Sequence, residues 1–183
     1  MSRKVKLVLL CEDSQHDTFL RRFLKALNWD TREMRVARVR AGMGSGEQFV
    51  RTRLPIELKA YRQNRNRVAY ALVVMIDGDN QGVKGRIQQL TDECREFEIC
   101  MPQKGEKVAV FVPTWNIETW LAYLDDQDVD ERKADYPRLE RPRECKRHAS
   151  VLAESCRSGE LRQPAPASLE AACHEYGVRL RDQ

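Results

Sequence analysis

The sequence predicts an α/β fold, with a mostly parallel central sheet, helices on both faces and a short helical C-terminal tail. Three observations carry this expectation. Apolar runs at 4–10, 68–76 and 107–113 have the composition of strands buried on both faces. The segments between them place apolar residues at helical spacing. Over residues 4–124 the two alternate as β-α-β-α-β-α-β-α, which is the order of a parallel sheet with helical crossovers.

Lys4 to Leu10 alternates and then runs apolar, which makes it the first strand. Its basic start mimics a signal peptide. Val5 and Leu7 to Leu10 fall short of the ~7–15 apolar residues such a segment needs, however, and acids follow at once. "SQHDTFLRRFLKAL" sets Phe19, Leu20, Phe23, Leu24 and Leu27 on one helical face, with Ser14 as N-cap and Asp17 three residues on. Met34 to Arg40 alternates with a period of two and reads as a short strand. A Gly-rich turn, Ala41 to Gly46, then leads into a helix capped by Ser45 with Gln48. Pro55 is expected to break or restart that helix, because it lacks an N–H and clashes with the preceding turn.

Val68 to Ile76 is the strongest strand signal, and Gly85 to Phe97 follows as a helix with Ile87, Leu90 and Cys94 on one face. Lys107 to Pro113 is another buried strand, and "NIETWLAYL" opens the next helix. After Leu124 the chain becomes charged, with prolines at 137 and 142. It then offers two closing helices, "CKRHASVLAESC" and "SLEAACHEYGVRL". The expected division is 1–125 as the α/β domain, and 126–183 as a charged connection and helical tail packed on it.

The chain's 183 residues, 42% hydrophobic and 33% charged, suit one globular domain. No stretch approaches the ~18–20 apolar residues of a membrane span. A cytoplasmic protein is expected, with its six cysteines as reduced thiols. The net charge of +4 is uneven. Residues 1–70 hold 16 Lys/Arg against 7 Asp/Glu, and residues 71–183 hold 16 against 21. A basic half beside an acidic half suits a polyanion-binding, cation-using protein, and equally a solvated surface.

The acids are the informative feature. In an open parallel sheet, ligands bind outside the carboxyl ends of the strands. Glu12 and Asp13 fall just past the first strand, Asp77 and Asp79 past the third, and Glu118 in the first turn after the fourth. Gathering carboxylates costs Coulomb energy unless a divalent cation neutralises them, and Mg²⁺ takes such oxygen ligands. Each acid also has a local reading: Glu12 at the positive end of the first helix, Asp79 or Asn80 as a cap, and Glu118 likewise for its own helix.

"LLCED…D" (Leu9 to Asp17), followed by "VVMIDGDNQG", resembles the Toprim domain, the metal-binding domain shared by topoisomerases, bacterial primases and several nucleases. Glu12 matches its first motif, and Asp77, Asp79 and Gly82 its second. Asp13 stands where the family usually has Gly. "PTWNIETWLAYL" is similar to small stand-alone Toprim-like proteins and to the overcoming-lysogenization-defect nucleases of bacterial anti-phage systems.

The resemblance implies a Rossmann-like domain with Mg²⁺ or Mn²⁺ on Asp77 and Asp79. Glu118 would serve a second ion, and Glu12 would be ligand or general base. The implied activity is a metal-dependent nuclease acting on DNA or RNA, in anti-phage or anti-plasmid defence. An ATPase or other defence protein is an implied partner, and an oligomer is compatible. The length leaves no room for the extra domains of a topoisomerase or primase. A catalytically silent binding subunit is the alternative. A receiver-like phospho-acceptor domain is disfavoured by the second acid of Asp77-x-Asp79.

Other residues complete the expectation. Arg51, Arg53, Lys59, Arg62, Arg65 and Arg67 would hold nucleic-acid phosphates, or form a solvated helix face. "AGMGSG" would cradle a phosphate or, more simply, cap a helix. Lys146 and His148 would neutralise a phosphate or protonate a leaving oxygen if the tail folds over the site. The Cys and His residues of the tail match no zinc ribbon or finger spacing. His16 and Asp17 are expected near the site without reacting, and Trp115 and Trp120 in the core.

Overall fold

The computed structural model describes residues 6–40, 42–67 and 69–181. The expectations placed on Lys4, Val5, Ala41 and Val68 lie outside the described residues. The elements follow the order read from the sequence: β1 (Lys6–Cys11), α1 (Ser14–Ala26), β2 (Met34–Ala37), α2 (Gly46–Asn64), β3 (Tyr70–Met75), α3 (Gly82–Glu96), β4 (Val108–Phe111) and α4 (Ile117–Leu124). A short 3-10 helix (Pro142–Cys145), α5 (Lys146–Ser158) and α6 (Ala167–Arg179) follow.

The four strands form an all-parallel sheet in the order β2-β1-β3-β4, consistent with a Rossmann-like α/β fold. Cys11 pairs with Met75 and Met75 with Phe111, so β1, β3 and β4 end side by side. Their side chains alternate between two buried layers. Leu7, Leu9, Cys11, Val73, Met75 and Phe111 face a layer built with α1, α4, α5 and α6. Val8, Leu10, Leu72, Val74, Ile76 and Val110 face the layer of α2 and α3. Burial on both faces is why these strands carry almost no polar residue. The closing helices share the first layer through Ala149, Leu152, Leu169 and Tyr176, so the tail is part of the main core.

Several local expectations are corrected. The cap of α1 is Asp13, whose side chain accepts from the His16 N–H, and Ser14 is the first helical residue. Ser45 caps α2 as expected, accepting from Gln48 N. Pro55 does not break α2, which runs through it for 19 residues. Val50, Leu54, Leu58 and Tyr61 are buried along one face on both sides of the proline. That shared packing on the sheet outweighs the ~3 kcal/mol an interior proline costs. Neither Asp79 nor Asn80 caps α3; its N-cap is Gln81, with no side-chain bond.

The tail cysteines also depart from expectation. Cys156 and Cys173 form a disulfide joining α5 to α6, while Cys11, Cys94, Cys100 and Cys145 are free. The two helices pack together and bring these Cα atoms within 4.8 Å, inside disulfide reach. Closing a loop of 17 residues removes unfolded-state entropy. Reduction is therefore expected to lower the unfolding free energy by about 2 to 3 kcal/mol, read from urea midpoints with and without a dithiol reductant. No helix among the described residues is long and apolar enough to cross a membrane.

Candidate functional site

The carboxyl ends of β1 and β3 bring Glu12 and Asp77 together. Cys11 and Met75 are the last paired residues of these adjacent parallel strands, so Glu12 follows one residue and Asp77 two residues past the ladder. The Glu12 carboxylate accepts the Asp77 backbone N–H at 3.0 Å. Burial pushes the Glu12 carboxyl up to about 7, and Asp77 and Asp79 add to the push. The site therefore confines negative charge that a cation would relieve.

Two glycines permit this closeness. A Cβ on Gly46, the first residue of α2, would meet the Glu12 carbonyl oxygen at 2.3 Å and its Cγ at 2.7 Å. The Gly-rich turn thus props Glu12 from behind. Gly78, between the two aspartates, would meet the Pro113 carbonyl oxygen at 2.9 Å if it carried a Cβ. The Gly78 and Asp79 N–H groups donate to Pro113 and Trp115, which ties the turn after β3 to the loop after β4.

Two protein cations lie inside the acidic cluster. His16, fully buried, places Nε2 3.1 Å from Asp77 Oδ1. Burial works against its charge, but Asp77, Asp13 and Glu12 outweigh that and hold it at about 9, so it is protonated at neutral pH. Arg86, only 3% exposed, donates from Nε to the Asp77 carbonyl at 2.7 Å and from a terminal nitrogen to Asp79 at 2.7 Å. Its other terminal nitrogen reaches Gln89 and pairs with Glu47 at the start of α2. Burial first, and Asp77 second, still raise the Asp79 carboxyl.

Glu118 stands in the first turn of α4, 8% exposed, and its carboxyl is raised by burial and by Asp77. It pairs with Arg138 Nε at 3.3 Å. Asp79 and Glu118 are thus each turned to a guanidinium, which leaves Glu12 and Asp77 as the adjoining pair. Among the described residues no group of three or more His, Cys, Asp or Glu side chains is placed to hold a metal ion. The donor chemistry still fits one cation type. Mg²⁺ is commonly held by one or two carboxylates, with water and substrate phosphate completing its shell.

The remaining expected residues lie elsewhere. His148 bonds Asp125 at 2.8 Å, at the far end of α4 from Glu118. Seven residues of helix separate those ends by about 10 Å of rise. Lys146 is exposed at the start of α5. Neither joins the Glu12–Asp77 pair.

Of the basic residues expected on nucleic acid, four are occupied by acids. Arg51 pairs with Glu47 at 2.6 Å and Arg53 with the buried Glu57 at 2.9 Å. Arg62 and Arg65 both hold the buried Glu106 at 2.9 Å. Lys59 and Arg67 are exposed, with no ion pair among the described residues. Trp120 is buried and donates to Ser168 at 2.8 Å.

Sequence reasoning gave His16 no role and passed over Arg86, and both left a signal. Each opens a buried helical stripe: His16-Leu20-Phe23-Leu24 on α1, and Arg86-Leu90-Cys94 on α3. An ionisable residue at the first position of such a stripe must find a buried partner, and here that partner is the acidic edge. No protein-family model matches the chain, and no curated protein or solved structure matches it either. The Toprim likeness rests on Glu12, Asp77, Asp79 and Gly82 themselves.

Proposed function

We propose that the chain is a Toprim-like, metal-dependent nuclease that hydrolyses phosphodiesters using Mg²⁺ or Mn²⁺ at the Glu12–Asp77 pair. The observation that carries this reading is the pair itself: Glu12 accepts the Asp77 backbone N–H at the ends of adjacent strands, and burial with the nearby Asp77 charge holds its carboxyl near 7. A divalent cation there would supply neutralisation of the phosphodiester and of the oxygens that attack and leave. Glu12 and Asp77 would hold it. The chain's own groups set the frame. His16 keeps a proton on Nε2 against Asp77 Oδ1 and fixes that carboxylate's orientation. Arg86 ties the Asp77 carbonyl to the Asp79 carboxylate, so the turn after β3 moves as one piece. Metal-bound groups oriented in this way are typically sensitive to loss of the orienting partner.

A second reading, a catalytically silent binding subunit, is favoured by one observation: His16 and Arg86 already balance part of the acidic charge. One experiment separates the two. Mg²⁺ and Mn²⁺ are titrated calorimetrically into the native chain, Glu12→Gln, Asp77→Asn and His16→Asn. The same samples are incubated with plasmid, single-stranded DNA and RNA. The nuclease reading expects binding and cleavage in the native chain, both abolished in Glu12→Gln and Asp77→Asn. His16→Asn is expected to weaken metal affinity about 10- to 100-fold. Metal binding without cleavage supports the silent subunit. No metal binding by the native chain removes the metal-dependent reading.

A further inference from the structure

We propose that the irregular strap between α4 and α5, with the first residue of α5, is the surface that takes the polynucleotide backbone, through Arg141, Arg143 and Lys146. This rests on reading the neighbouring acidic site as one for phosphodiesters. Sequence placed the phosphate contacts on the basic residues from Arg51 to Arg67 that precede β3, and four of those six side chains are spent on carboxylates. A guanidinium locked on a buried glutamate has little left to give a phosphate, because leaving would strand the acid without its partner.

The strap is different in both charge and position. From 138 to 147 it and the start of α5 carry five Lys/Arg against two Glu. Arg141, Arg143 and Lys146 are exposed and have no acid partner among the described residues. Two contacts hold this stretch at the carboxyl end of the strands. Arg138, 84% exposed along its side chain, reaches Glu118 in the first turn of α4. The Pro142 carbonyl accepts from Gln15 Nε2 at 3.4 Å, one residue before His16 in the first turn of α1.

Leu139 packs partly buried on the core between these contacts, and the 3-10 helix lies against α1. Unpartnered cations are therefore mounted against the first turns of α1 and α4, at the edge that carries Glu12 and Asp77, on a segment anchored from within. A phosphodiester chain running along the strap would meet Arg141, Arg143 and Lys146 in succession, while its scissile phosphate faces the acids. Such contacts are independent of base sequence and set register along the backbone.

The test measures affinity by fluorescence anisotropy in a chelator, so that neither metal nor cleavage contributes. Labelled 20-mers of duplex DNA, single-stranded DNA and RNA are titrated with the native chain across a range of salt. Two variants are compared with it: Arg141→Ala/Arg143→Ala/Lys146→Ala at the strap, and Lys59→Ala/Arg67→Ala on and just after α2. The strap variant is expected to lose roughly tenfold or more in affinity at 0.1 M salt, and its log–log salt slope on duplex should shrink by about three.

The α2 variant is expected to stay within about twofold of the native chain on the same scale. The preferred polymer among the three identifies the substrate. A strap variant within twofold of the native chain overturns the proposal. So does an equal loss in the α2 variant, or a native chain that binds none of the three polymers. Failure of the nuclease reading registers separately, in the metal titration, which the strap variant is expected to leave unchanged.

Discussion

Without divalent cations, the chain is expected to lose stability continuously as pH rises from about 4.5 to about 9. Two groups set this window. The Glu12 carboxyl moves from 4.5 to about 7, through burial and then Asp77, and His16 moves from 6.5 to about 9. Both bind their proton more tightly in the folded chain, so each favours folding while that proton is on. The Glu12 contribution is complete below 4.5 and gone above about 7. The His16 contribution is complete below 6.5 and gone above about 9.

For the fully buried His16 the loss is about 3 kcal/mol. Urea midpoints between pH 5 and 9 measure it, with His16→Gln as the reference. The variant should be less stable than the native chain at pH 5 and should lack the native chain's further loss towards pH 9, keeping only the fall that belongs to Glu12. A native curve flat over that interval would show that the acids around His16 do not hold its proton. Added Mg²⁺ is expected to reduce the fall at high pH, because a cation on the carboxylates takes over the neutralisation and releases protons as it binds.

Arg86→Ala should cost about 3 kcal/mol of stability, at the lower end for loss of one partner from a buried ion pair. Arg86 bonds Gln89, the Asp77 carbonyl and Asp79, and pairs with Glu47, from an almost fully buried position. Removing it leaves those groups facing a hole. Water softens the loss, because the Asp79 and Glu47 side chains are 52% and 23% exposed. Arg86→Lys keeps the charge but loses the planar fork that serves several acceptors together, so it is expected to recover only part of the loss. Chemical denaturation of the two variants checks both figures. A cost below about 1 kcal/mol for alanine would mean that the turn after β3 holds its shape without the guanidinium.

Much of the fold was legible because its determinants are local. A strand buried on both faces must be apolar throughout, as Tyr70–Met75 is, and an amphipathic helix must repeat near 3.6, as Ser14–Ala26 does. The acids at the strand ends were legible for a related reason. In a parallel α/β order every strand-to-helix turn lies at one edge, so Glu12, Asp77 and Glu118 had to share it. The proline in α2 was misjudged because its penalty is local, while the packing that overcomes it comes from the sheet.

The partners of the charges were settled only by the tertiary structure. Arg62 and Arg65 read as phosphate contacts until Glu106, more than 40 residues away, was seen between them. His16 stood 61 residues from Asp77, and Glu118 found its cation on a strap that composition marked only as charged. The sequence by itself determined which segments are apolar, which are periodic and where acids follow strands, since each depends on neighbours along the chain. Which charge meets which depends on distances through space, and Coulomb and hydrogen-bond energies fall off within a few ångströms. Only folding to a specific packing could bring His16 and Arg86 to the acidic edge and commit most of the α2 arginines elsewhere.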